Sequence, residues 1–257
     1  MKRKKSSKNS RRSRRKRKFF ALFFAVFLSA SIVYFAIFSG YFQIKEVKMM
    51  GEESDSSARI KSFLEARLET GIWVVKTESI FVFCASCAEK GIEKEFLEVK
   101  KASVEKTLPG TLNVFLEKRQ GAAILAEGDN FFLLDTEGVA FKEVKEKQGL
   151  PVIYDPEQES EISLGETMVS QEKLAKIMEI SQGLEDINEA SLEKLVILNE
   201  KRLNAEMEEG WTVYFDLEED LSWQITKLKL LLKEEITSER RESLEYVDLR
   251  FEKAFYK

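Results

Sequence analysis

The chain has 257 residues, with 41 Lys and Arg, 45 Asp and Glu, two cysteines, no histidine and a formal net charge of −4. The missing histidine removes Ser-His-Asp and Cys-His nucleophilic systems, His-ligated zinc and an imidazole switch near neutral pH. Neither GxGxxG nor GxxxxGK[ST] occurs to cradle a nucleotide phosphate, and with so many carboxylates, acidic pairs read as solvated surface.

Charge is unevenly spread. Residues 1–18 hold twelve Lys and Arg and no acid, whereas residues 19–257 hold 29 basic against 45 acidic residues, a net −16. Residues 19–44 carry no charge at all. At ~1.5 Å rise those twenty-six residues reach about 39 Å as a helix, more than the ~30 Å hydrocarbon core of a bilayer. Residues 19–41 are therefore expected to form one transmembrane helix. The positive-inside rule places the 1–18 arm in the cytoplasm, and each Lys or Arg adds roughly 1 kcal/mol of attraction to the anionic inner leaflet. Lys45 and Lys48, offset by Glu46, are too few to reverse this.

A cleaved signal peptide has an apolar run of only about 7–15 residues; here Ser29-Ala30-Ser31 lies mid-run, so an anchor is the better reading. Nucleic-acid binding by the arm is disfavoured, since no aromatic residue precedes Phe19, and the acidic remainder repels a phosphate backbone.

Beyond the span, residues 42–49 alternate like a strand, ending at Gly51. Ser54 to Ser57 offer N-cap residues for a helix with the apolar face Ile60, Phe63, Leu64 and Leu68, closed by Gly71. A short extended piece at Ile72–Val75 leads to a second helix expected over 77–90. A hairpin follows, residues 97–106 and 111–117, joined through Leu108-Pro109-Gly110-Thr111. Proline at the first turn position and glycine at the second predict a type II turn. The order is β-α-α-β-β, a three-stranded sheet with two helices on one face.

Cys84-Ala85-Ser86-Cys87 is the one constellation with reactive chemistry. On a helix, Ile80, Cys84, Cys87, Ala88 and Gly91 share a face, which makes the cysteines small buried thiols; this is the favoured reading. The alternative is a disulfide or redox dithiol at a helix start. Two cysteines cannot fill a four-cysteine zinc shell, and no metal or cofactor is expected.

Farther on, residues 131–141 form a hairpin turning at Asp135 to Gly138. Residues 171–183 form a helix aligning Leu174, Ile177, Met178 and Ser181. Residues 210–215 form a strand, 223–236 a helix and 246–251 a closing strand.

Phe42-Gln43-Ile44-Lys45-Glu46-Val47, the run from Val104 through Pro109-Gly110-Thr111-Leu112 to Val114, and Glu117-Lys118-Arg119 resemble the polypeptide-transport-associated (POTRA) domain of the bacterial cell-division proteins FtsQ and DivIB. Leu133 to Phe141 is similar to that family's "L-x-D-x-x-G-x-x-F" segment, and Leu150-Pro151-Val152-Ile153 to its "L-P-x-I". Tyr246-Val247-Asp248-Leu249-Arg250-Phe251 is similar to its closing "Y-V/I-D-L-R-F/Y". Each motif alone is weak; their order is specific. In two respects the chain departs from the family: its CxxC has no counterpart there, and Glu218-Glu219-Asp220-Leu221 replaces a glycine turn, so that edge is expected to be shorter or bulged.

The resemblance implies an α+β protein. Its parts are a basic cytoplasmic arm (1–18), a single transmembrane helix (19–41), a small β-α-α-β-β POTRA-like domain (42–118) and a β-rich domain with flanking helices (119–257). It implies a non-enzymatic scaffold of the division machinery in the cytoplasmic membrane, at the septum, with its domains outside. Its extracytoplasmic sheet edge would recruit FtsB-like and FtsL-like proteins, with no nucleic acid or small-molecule substrate. Asp248, Leu249, Arg250, Phe251 and Lys253 fall at the implied contact, Phe251 as its aromatic anchor. Read from physics alone, Asp248 and Arg250 could equally form a surface ion pair contributing under ~1 kcal/mol. Two other functions compete: an extracytoplasmic thiol-redox or thiol-holding protein using Cys84 and Cys87, and a secretion or outer-membrane assembly protein. The latter is disfavoured because such proteins repeat the domain and no second copy occurs here.

Overall fold

The computed structural model describes residues 8–50, 55–68, 70–72, 75–147, 149–156, 162–187, 191–241 and 243–257. Residues 1–7 of the basic arm, Ser54 of the expected N-cap, and Trp73 and Val74 of the extended piece lie outside the described residues. The chain divides into two compact units, residues 1–117 and 118–257.

The first unit begins with α1 (Lys8–Phe38), whose stretch Lys16–Phe38 is apolar and long enough to cross a membrane and is not covered by protein. The helix ends at Phe38 rather than residue 41, because residues 39–42 turn, Phe42 N donating to Ser39 O. Next come β1 (Glu46–Met50), α2 (Asp55–Glu65), the short strands β2 (Thr70–Ile72) and β3 (Val75–Thr77), α3 (Ala85–Glu95), β4 (Val99–Thr107) and β5 (Thr111–Lys118). The sheet runs β1-β5-β4, with β1 parallel to β5; β2 and β3 pair separately. Its core joins Ile60 and Leu64 of α2, Ala88 and Ile92 of α3, and Val47, Val99, Val104, Leu112 and Val114 of the sheet. Ile60 and Leu64 are fully buried, each contributing about 1.5–3 kcal/mol by removal from water.

Three local expectations for this unit are corrected. Gly71 lies in β2, and α2 ends six residues earlier. The helix expected over 77–90 starts only at Ala85, because Ser79 is bridged to Gln43 and Ile80 N donates to Phe42 O, which holds the chain extended. The turn between β4 and β5 is not type II: the Leu108-Pro109 peptide is cis, and Gly110 is not among the positive-φ glycines. Glycine is needed at 110 for closeness, since a Cβ there would overlap the Gln43 carbonyl oxygen.

The second unit contains β6 (Ala123–Glu127), β7 (Asn130–Leu134), β8 (Ala140–Val144), β9 (Val152–Tyr154), α4 (Gln171–Glu185), β10 (Leu192–Ile197), β11 (Arg202–Met207) and β12 (Thr212–Asp216). It closes with α5 (Leu221–Glu234), α6 (Ser238–Arg241), β13 (Tyr246–Asp248) and β14 (Phe255–Tyr256). One nine-stranded mixed sheet runs β14-β13-β12-β11-β10-β9-β6-β7-β8. Leu174, Ile177, Ile180 and Leu184 of α4 and Leu228 and Leu232 of α5 share its core with Trp211, Val213 and Phe215.

Sequence chemistry explains the ends of these elements. Ser170 Oγ accepts from Lys173 N at 3.3 Å and Asp220 Oδ1 from Trp223 N at 2.9 Å, N-capping α4 and α5. Asp135 Oδ1 accepts from Glu137 N and Val139 N, shaping the β7–β8 turn, and its other oxygen pairs with Arg119. The Glu218-Glu219-Asp220-Leu221 segment makes no shortened edge. It links β12 to α5, while β11 and β12 pair in unbroken register inside the sheet.

Candidate partner-binding edge

The edges of the nine-stranded sheet are β8 and β14. β13 is internal, parallel to β12 on one side and antiparallel to β14 on the other, with Val247 opposite Tyr256 and Asp248 opposite Phe255. Glu245 N donates to Lys257 O at 2.6 Å and Lys257 N to Tyr246 O at 3.2 Å, extending this ladder at the chain end. The closing strand expected over 246–251 thus stops at Asp248, and the outermost backbone belongs to the exposed residues Phe255 and Tyr256. An outer strand presents N–H and C=O groups to any incoming strand.

The strand stops for a local reason. Asp248 Oδ1 accepts from Arg250 N at 3.2 Å and from its Nε at 2.8 Å, and Oδ2 accepts from the second guanidinium nitrogen at 2.6 Å. This closes a tight turn while Leu249 N still donates to Tyr214 O and the Leu249 side chain stays buried. Burial pushes the Asp248 carboxyl up, but the hydrogen bonds and charge of Arg250 outweigh it and hold the group below the usual carboxylate range. The bond to Asp248 likewise holds Arg250 more firmly protonated. The guanidinium lies 5.3 Å over the Tyr214 ring, which stacks on Tyr246 at 5.5 Å.

From α5, Lys227 Nζ donates to Leu249 O at 2.8 Å and Phe251 O at 2.7 Å. Burial lowers the Lys227 pKa. The turn is clamped on both sides, and Phe251 is left 55% exposed, meeting Phe255 edge-on at 5.8 Å. A groove beside it is lined by Trp223, Gln224, Lys227, Arg250, Phe251 and Glu252. Of the five residues expected at the contact, Asp248 and Leu249 are buried, Arg250 is half-buried, and Phe251 and Lys253 are exposed. Asp248 and Leu249 therefore shape the surface from within.

Trp223, Lys227 and β14 complete the candidate site; Phe255 and Tyr256 follow Lys253 on the segment the sequence singled out, with a loose family match, whereas Trp223 and Lys227 were missed as members of the site. Trp223 is 54% exposed, off the buried face of α5 formed by Leu221, Gln224, Leu228 and Leu232. A large aromatic residue outside that periodic face was the readable signal.

Two further places bear on function. Cys84 and Cys87 form a disulfide, which overturns the reading of them as buried thiols. Cys84 is the N-cap of α3 rather than a mid-helix residue, its Sγ accepting from Cys87 N, and Cys87 is exposed. In the first unit, two N–H groups on the outer side of β4 are occupied: Ala102 N donates to Glu93 Oε1 at 3.0 Å and Val104 N to Glu89 Oε1 at 2.8 Å. Side chains of α3 thus close that edge to a further strand.

A helix long and apolar enough to cross a membrane, a small three-stranded unit and a large mixed sheet backed by helices mark the class as an α+β protein with a single-pass anchor. Residues 123–250, about half of the chain, match the family model described as cell division protein FtsQ/DivIB, C-terminal, and the chain belongs to the FtsQ/DivIB family. That is a family of non-enzymatic division proteins acting in complexes with other division proteins, and it does not favour a thiol-redox function. The match begins at the first residue of β6 and ends at Arg250, leaving Phe251 and β14 beyond it. A comparison with curated proteins returned no match.

Proposed function

We propose that this protein recruits FtsB-like and FtsL-like division proteins at the β14 edge, with Phe251 as the aromatic anchor and Trp223 as its neighbour across the groove. Its N-terminus lies in the cytoplasm, the arm against the anionic inner leaflet, while residues 42–118 and 119–257 form two domains outside the membrane at the division septum. The observation that carries this reading is the exposed Phe251 beside a two-residue outer strand, held there by Lys227 and the Asp248–Arg250 pair. Strand addition requires no catalytic group: backbone hydrogen bonds give affinity, and a buried aromatic anchor gives specificity.

Truncation before Tyr246 would remove Val247 and Leu249, which are core residues, so it confounds folding with binding. Cleaner variants are Phe251→Ala and deletion of residues 253–257. Each should insert in the membrane normally yet lose capture of both partner proteins from detergent extracts. Undiminished capture by both variants would refute the site.

A further inference from the structure

The end of the spanning helix is built into the first unit. The hydroxyl of Ser79 donates to Ala36 O at 3.1 Å and that of Thr77 to Ile37 O at 3.0 Å, satisfying two carbonyls at the C-terminus of α1. Ser79 N in turn donates to Thr77 Oγ1, and both side chains are buried. Ile44 N donates to Glu78 O and Ile80 N to Phe42 O, so the segment after the helix pairs with the segment that caps it. Helix and unit are joined by hydrogen bonds where the apolar stretch ends.

Around that junction, exposed apolar side chains from three separate segments gather about Phe42, which is itself half-buried against the core of the unit. Tyr34 and Phe35 lie in the last turns of α1, and Tyr41 and Phe42 follow it directly; Phe35 and Tyr41 each pack edge-on against Phe42, at 6.3 and 5.0 Å. Phe81, on the turn after Ser79, packs against Phe42 at 5.1 Å and is 50% exposed. Its turn is held between the Gln43–Ser79 bridge and the disulfide-closed start of α3. Exposed Leu108 sits on the β4–β5 turn, where Gly110 O accepts from Lys45 N at 2.8 Å, beside the same backbone.

We propose that Tyr41, Phe42, Phe81 and Leu108 form a collar that seats the first unit in the headgroup layer of the leaflet at the C-terminal end of the span. The occupant is the lipid surface itself. The patch is continuous with a helix that crosses the bilayer, it consists of aromatic and aliphatic groups without a charge, and aromatic side chains concentrate at this depth of a membrane. With the helix end capped by Ser79 and Thr77, the span and the first unit tilt together instead of hinging at residues 39–41.

The test uses the full-length chain reconstituted into phosphatidylcholine and phosphatidylglycerol vesicles, carrying Phe81→Trp or, as a second probe, Tyr41→Trp. The emission added to that of the native tryptophans is compared in vesicles with lipids brominated near the headgroup, near the chain ends, or not at all. Both probes should be blue-shifted and quenched several-fold more by shallow than by deep bromines. Phe115→Trp, exposed on β5 four residues beyond Thr111 and so away from the collar, should remain unquenched. Added emission from both probes that is red-shifted and unquenched, or blue-shifted without quenching as contact with a second copy would give, overturns the proposal.

Discussion

Replacing Asp248 with alanine removes the carboxylate that folds the Arg250 turn, and the structure sets the size of the effect. Asp248 accepts three hydrogen bonds from Arg250, two of them from the guanidinium. Bonds to charged groups contribute about 1.5–3 kcal/mol each, and breaking a fully buried pair costs roughly 3–5 kcal/mol. The Arg250 side chain is 24% exposed, so it can turn to water when its partner is lost. The expected cost is therefore about 2 kcal/mol, a fall of roughly 4–8 °C in melting temperature for a unit of this size. A double-mutant cycle of Asp248→Ala and Arg250→Ala, read by urea unfolding with tryptophan emission, should give a coupling of about 1–2 kcal/mol at neutral pH.

The sign of the pH dependence follows from the direction of the shift. Asp248 is held below its unfolded value of about 3.9, so the pair's contribution is complete above that value and disappears as pH falls through the lower folded pKa. Coupling near zero at neutral pH, or coupling that grows on acidification, would refute this account.

Three further outcomes are expected. Gly138→Ala should cost about 3 kcal/mol or more, since φ is +77° and a Cβ would overlap the Val169 carbonyl oxygen; Gly128→Ala, at φ +59° in open space, should cost only about 1–2 kcal/mol by thermal melts. Glu89→Ala with Glu93→Ala should lose about 0.5–1.5 kcal/mol per bond and raise concentration-dependent self-association in sedimentation, by freeing the β4 edge; unchanged values on both counts would refute the capping role. Thiol titration in denaturant should detect no free cysteine until reductant is added, and reduction should destabilise by about 2 kcal/mol or less because the disulfide closes so short a loop; two thiols titrating without reductant would contradict the pairing.

The readable parts of the fold were those where local chemistry and tertiary packing agree. Residues 131–141 showed two apolar runs around Asp135 and Gly138, and the structure uses Asp135 as the turn's acceptor and Gly138 at positive φ. The helical spacing of Leu174 and Ile177 likewise matched the buried face of α4. Strands β10 and β11 were missed although β11 carries the period of two that marks a half-buried strand, Leu203, Ala205 and Met207 facing the core between Arg202, Asn204 and Glu206; in β10 Glu193 and Lys194 break that period, and only Leu195 and Ile197 are buried.

The start of α3 was misplaced because Ile80, Cys84, Cys87 and Ala88 have helical spacing, yet Ile80 is buried from the turn before the helix, Cys84 caps it and Cys87 is exposed, leaving Ala88 buried from the helix itself. At the candidate site, Asp248 and Leu249 are neighbours in sequence and both buried, which no strand alternation gives. Their burial depends on Tyr214, Lys227 and Arg250, contacts set by strand order and by the packing of α5 rather than by the local pattern.

The central claim, a division scaffold acting through the Phe251 edge, is tested most directly by imaging septa in the native host after depletion of the protein. The account predicts that septation stops, that re-expressed wild-type protein restores it, and that Phe251→Ala expressed at the same membrane level does not. Unimpeded septation after depletion, or full rescue by Phe251→Ala, would contradict it.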